Sequence, residues 1–139
     1  MKKLLRVIVC ILLIAALLCA CGGNFEPEAG PVAREMMTAL GNSDVEAATK
    51  LMHPDAKKQI EDLDKSIQSM IEFVNGRSTT ELKQESVNIT NRAGTNSGKY
   101  ETGTFRAVLE DDTVLEIEYT YLISSAGSGF TSFYLSIGT

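Results

Sequence analysis

"VLEIEYTYLI", Val114 to Ile123, decides the fold. Leu115, Ile117, Tyr119, Tyr121 and Ile123 alternate with Glu116, Glu118 and Thr120. A period of two places the first set on one face of a strand and the second on the other. Working outward, the same period recurs on both sides. "KYETGTFRAVLE" (Lys99 to Glu110) sets Phe105, Ala107 and Leu109 on one face, and "FTSFYLSIG" (Phe130 to Gly138) does the same with Phe133, Leu135 and Ile137. "LKQESVNIT" (Leu82 to Thr90) ends in alternation through Val87 and Ile89. The connections are a loop at Asn91 to Gly98, a tight polar turn at Glu110 to Thr113 and a flexible Gly/Ser segment at Ser124 to Gly129. Short links between consecutive strands make antiparallel neighbours. One-sided alternation means one packed face and one wet face. The expected sheet is a four-stranded antiparallel meander.

Upstream the period changes to that of a helix. Pro31 opens a first helix carrying Val32, Met36, Met37 and Leu40, and Gly41-Asn42 ends it. Ser43 and Glu46 have the spacing of a capping box for a short second helix with Val45, Ala48, Leu51 and Met52 inward. Pro54 starts a third and longest helix, whose stripe is Ala56, Ile60, Leu63, Ile67, Met70, Ile71 and Val74. Lys57, Lys58, Glu61, Asp62, Lys65 and Glu72 cover its other side, and Gly76 is the expected stop. Helices first and strands after them define an α+β fold, with the helices covering one sheet face.

The amino terminus carries a different message. Lys2, Lys3 and Arg6 precede an uncharged run from Val7 to Ala20, 14 residues long. A bilayer-spanning helix needs about 20. A basic start, a short apolar run and a small residue before the break mark a secretory signal peptide. No polar stripe interrupts the run, so it is not an amphipathic core helix. Leu18-Cys19-Ala20-Cys21 resembles the bacterial lipobox: an aliphatic residue at −3, a small one at −1, then the obligatory cysteine. That resemblance implies cleavage before Cys21 and a diacylglycerol on its thiol. Cys19 fits worse, because Leu18 at its −1 position is bulky. The competing readings are an ordinary signal peptide with a free Cys21, or an uncleaved anchor. The expected organisation is a signal peptide at 1–20, a lipidated flexible tether at 21–30 and one domain at 31–139. The expected location is the extracytoplasmic face of the cell membrane, held by the lipid on Cys21.

Cleavage changes the charge. The whole chain has 13 basic and 18 acidic residues; losing Lys2, Lys3 and Arg6 leaves 10 against 18, a net charge of −8. Phosphate backbones repel such a body, so no nucleic-acid partner is expected. Direct docking onto anionic lipid heads is equally disfavoured, which leaves attachment to the acyl chains. Two of the three cysteines, Cys10 and Cys19, leave with the signal, so the domain folds without disulfides.

The element order resembles the cystatin-like, nuclear-transport-factor-2-like superfamily. "ALGNSDVEAATKLMHPDA" (Ala39 to Ala56) adds to the likeness through Gly41, Asn42, Leu51, His53, Pro54 and Asp55. The resemblance implies a long helix lying in a curved sheet, a cone with a pocket at its open end. Enzymes of that superfamily place acid and base groups inside the cone. Here the inward strand residues read as Leu, Ile, Tyr and Phe, so no catalytic residue is transferred.

Chemistry-bearing residues are few. His53 is the only histidine and lacks Cys or His partners in the domain, so it reads as a helix-junction residue rather than a ligand. Glu110, Asp111 and Asp112 read as a hairpin tip. Gly127-Ser128-Gly129 lacks the strand–turn–helix setting of a nucleophile. No catalytic residue, metal site or cofactor is expected. Tyr119, Tyr121, Phe105 and Phe133 are the candidate pocket lining; Tyr100 and Tyr134 complete the tyrosine set, for which core filling is the preferred reading in a chain without Trp. The expected function is a non-catalytic binding or interaction module, holding a small apolar ligand in the sheet–helix pocket or docking an envelope protein. The alternative is a small hydrolase or isomerase in the same cone.

Overall fold

The computed structural model describes residues 27–95 and 97–139. The expected signal peptide and the expected lipidation site, Cys21, lie outside the described residues. Four helices precede four strands: α1 (Ala29–Gly41), α2 (Val45–Lys50), α3 (Pro54–Gln59), α4 (Leu63–Val74), then β1 (Thr79–Arg92), β2 (Gly98–Leu109), β3 (Val114–Ser124) and β4 (Gly127–Ile137). The strands form one antiparallel sheet in the order β1-β2-β3-β4. The fold is α+β, as the change of period requires.

The deciding strand behaves as read. Leu115, Ile117, Tyr119 and Tyr121 are buried, while Glu116 and Glu118 are exposed. Opposite them stand Phe105 and Ala107 on one side and Phe133, Leu135 and Ile137 on the other. The buried face meets Met36, Met37 and Leu40 of α1 and Leu63, Ile67, Ile71 and Val74 of α4 in one core. Each large side chain fully buried there contributes about 1.5–3 kcal/mol.

Five local readings need correction. Helix α1 starts at Ala29 and not at Pro31, which is the third helical residue, still within the first turn. The cap of α2 is Asp44, whose carboxylate accepts from Ala47 N at 2.9 Å; Ser43 sits at φ 57° and caps nothing. The long third helix is two, α3 and α4, separated at Ile60–Asp62, with Ile60 extended. Asn75, at φ 52°, is the left-handed stop of α4, one residue before Gly76. The Ser124–Gly129 segment is mostly strand: Ser124 pairs with Gly127 around a two-residue turn.

Strand β1 also departs from plain alternation. A register shift between Gln84 and Ser86 puts Val87 opposite Gly103, and Val87 is 43% exposed instead of inward. A Cβ at Gly103 would lie 2.1 Å from Ser86 O, so only glycine lets the irregular strand approach this closely.

Candidate functional site

Three places gather chemistry-bearing side chains. The first lies in the core. Glu101 is 0% exposed, two residues before Gly103 and four before Phe105 on the same face of β2. Its Oε1 accepts from the Tyr119 hydroxyl at 2.8 Å, and its Oε2 accepts from Glu28 N at 2.7 Å and Ala29 N at 3.3 Å. Those two N–H groups belong to the first turn of α1, which has no intrahelical partners for them. A carboxylate at a helix start also meets the positive end of the helix dipole. Lys99 Nζ reaches Glu28 Oε1 at 3.1 Å just outside. Gln84 Nε2 donates to the Tyr119 hydroxyl at 2.6 Å. Burial, and after it the Glu101 carboxylate, push the Tyr119 phenol well above the usual tyrosine range. Oε2 thus ties the start of α1 to the sheet, while Oε1 is held by Tyr119 on the neighbouring strand.

The second place joins helix to hairpin. The His53 ring is 0% exposed. Its Nε2 lies 3.1 Å from Ser124 Oγ, and Asp55 Oδ2 lies 3.7 Å from its Nδ1. Serine, histidine and aspartate in that order outline a hydrolytic triad, beside a cavity of about 170 Å³ that Asp55, Tyr100, Leu122 and Ser124 line. The wiring runs the other way. Nδ1 accepts from Asp55 N at 3.1 Å, so that nitrogen carries no hydrogen. The hydrogen sits on Nε2 and points to Gly127 O, at 3.2 Å, and to Ser124 Oγ. A nitrogen that donates to serine cannot take its proton. Ser124 Oγ also accepts from Ala126 N at 3.2 Å. This constellation caps α3 and fixes the β3–β4 turn, the junction role expected of His53.

The third place is a surface groove of about 390 Å³ between α4 and β4. Ser66, Ser69, Met70 and Phe73 form its helical wall, and Phe133, Tyr134 and Leu135 form the other. Phe73 is 37% exposed, Tyr134 67% and, beyond the groove on the same strand, Ile137 63%. Phe73 and Ile137 lie on the packed side of the sheet and Tyr134, beside Glu118, on its wet side; exposed apolar surface of this kind marks interaction surfaces.

The four expected lining residues divide between these places. Phe105 and Tyr119 stack at 4.7 Å; Phe130 meets Tyr121 at 5.2 Å and Phe133 at 4.9 Å. Phe105, Tyr119, Tyr121 and Phe133 are each 5% exposed or less. These rings fill the space between sheet and helices, and of the four Phe133 lines the groove. Glu101 corrects the reading that nothing ionisable faces inward; stepping back from Phe105 by twos would have found it. Among the described residues, no three His, Cys, Asp or Glu side chains gather as a metal site, and no helix is long and apolar enough to cross a membrane.

The fold and these places define an α+β domain with a filled core and an open apolar flank. The chain matches no known family model, and no curated protein or solved structure matches it.

Proposed function

We propose that the chain is a lipid-anchored extracytoplasmic protein whose cystatin-like domain acts as a non-catalytic binding or interaction module. One observation carries the anchor: Leu18-Cys19-Ala20-Cys21 directly after a basic start and an uncharged 14-residue run. Two acyl chains on Cys21 hold a domain stably at a membrane, whereas one holds it only marginally. The Glu101 clamp on Glu28 and Ala29 supports the same reading, because it fixes where the tether enters the domain. The α4–β4 groove is the docking surface for an apolar ligand or an envelope protein.

Cys21→Ala tests the anchor. The native protein partitions into the membrane fraction and the detergent phase, with a diacylglyceryl mass on Cys21. The variant appears as soluble or unprocessed protein. A processed Cys21→Ala chain still in the detergent phase would refute the lipid assignment.

A further inference from the structure

The two edges of the sheet are unlike. An edge strand offers unpaired N–H and C=O groups to other chains, and natural sheets blunt it with charges and bulges. β1 is blunted: it carries Glu81, Lys83, Glu85 and Arg92 and two register shifts. β4 carries no charged residue from Gly127 to Ile137, and its one register shift falls at Thr131, before the free half. Its first half is covered by the chain itself, since Phe130 N donates to Leu51 O at 3.0 Å and His53 N to Phe130 O at 2.8 Å. Among the described residues, no strand lies beyond β4 from Ser132 to Ile137. The apolar groove opens along that same free half.

We propose that this half of β4 pairs with its counterpart in a second copy of the chain, antiparallel across a two-fold axis, joining two four-stranded sheets into one. A small apolar ligand can fill the groove but cannot satisfy the open backbone groups beside it; a strand does both. Charge selects the partner. Across a two-fold axis each strand meets itself, and like charges facing each other are destabilising. An uncharged strand escapes that cost at the directly opposed positions; the nearest carboxylates, Glu116 and Glu118, stand one strand further in, on β3.

Geometry limits the register, and the apolar row selects it. Residues directly opposite in an antiparallel pair share a face, so the axis passes beside a residue and not between two. With Leu135 on the axis, Phe133 faces the partner's Ile137 and Tyr134 faces the partner's Ser136. The inward row is then apolar throughout, and it covers the exposed Ile137 of each copy. This names the partner of the docking surface proposed above and rests on that reading, but its readout is independent of the lipid.

The test uses the full chain in detergent, with its protein mass measured by analytical ultracentrifugation. The native chain sediments at twice the chain mass and Ile137→Lys at the single-chain mass, with unchanged circular dichroism. In membranes, Leu135→Cys forms an intermolecular disulfide on mild oxidation, while Lys83→Cys on the opposite edge and the unsubstituted chain, with its own cysteines, do not. A single-chain mass for the native protein overturns the inference. So does an Ile137→Lys variant that remains dimeric, or a Leu135→Cys chain that cross-links no faster than Lys83→Cys. A missing acyl group on Cys21 would sink the anchored reading while leaving the mass result standing.

Discussion

Glu101 shows how much one side chain can organise. Its carboxylate receives the Tyr119 hydroxyl and two N–H groups of α1 in a place without water access. Glu101→Leu leaves all three donors unpaired. At about 1–3 kcal/mol for each buried group left unsatisfied, the loss is expected to reach about 3 kcal/mol or more, read from the urea midpoint. Glu101→Gln keeps the shape and an acceptor, so it is expected to cost less. The same variant brings the Tyr119 phenol down toward ordinary tyrosine in an alkaline absorbance titration, since the carboxylate no longer opposes a phenolate beside it. The sign follows for stability. Tyr119 is held above its ordinary 10.0, so its contribution is complete below pH 10 and fades as the pH rises toward the folded value. Glu101 was legible by parity, since residues two apart on β2 share a face. Its partners were not, because α1 meets β2 only after the chain has folded.

Among the elements, the end of α4 carries the clearest device. Arg77 donates from Nη2 to Phe73 O and from Nε to Val74 O, each at 2.7 Å, which satisfies carbonyls at the helix end. Its Nη1 reaches Asp111 Oδ2 at 2.9 Å and Thr113 Oγ1 at 3.1 Å in the β2–β3 turn. One side chain therefore ties the last turn of α4 to the sheet. Thr113 first, and Arg77 after it, lower the Asp111 carboxyl from an ordinary 3.8 to about 2. A depressed carboxyl contributes stability that is complete above pH 4 and lost as the pH falls from 4 toward 2. Arg77→Ala is expected to raise the Asp111 value in an NMR titration and to flatten that acid limb of the stability curve. An unmoved Asp111 resonance would contradict the assignment. The helix break at Ile60–Asp62 escaped sequence reading for a related reason. The apolar stripe keeps its phase across the break, with Ala56 and Leu63 both buried, so periodicity registers no interruption. Tertiary contacts impose it. α3 is pinned to β4 through His53, while α4 packs on α1 and α2, and one straight rod does not serve both.

On the scale of the whole molecule, polar side chains join helices and sheet beyond the core, and besides the Arg77 tie two such junctions stand at helix starts among the described residues. Glu101 secures the start of α1, and His53 secures the start of α3 to the β3–β4 turn. Gly129 permits the second junction: a Cβ there would stand 2.5 Å from His53 N. His53→Leu keeps most of the volume but strands Asp55 N and Gly127 O. The expected cost is about 2–3 kcal/mol in denaturant unfolding, with the sheet signature retained. A neutral substitution would mean that water serves both groups.

The sequence by itself determined the fold class, the strand order and, from β2 to β4, which row of apolar residues turns inward. Side-chain alternation and short connections are local properties, and they leave few topologies open. It also carries the lipobox-like Leu18–Cys21 segment on which the proposed anchor rests, a linear signal read by position. Only the tertiary structure decided where α1 begins, where the long helix breaks, how β1 shifts register and that Glu101 is a clamp. Each of those depends on groups brought together from positions far apart in the chain, whose hydrogen bonds no local window contains.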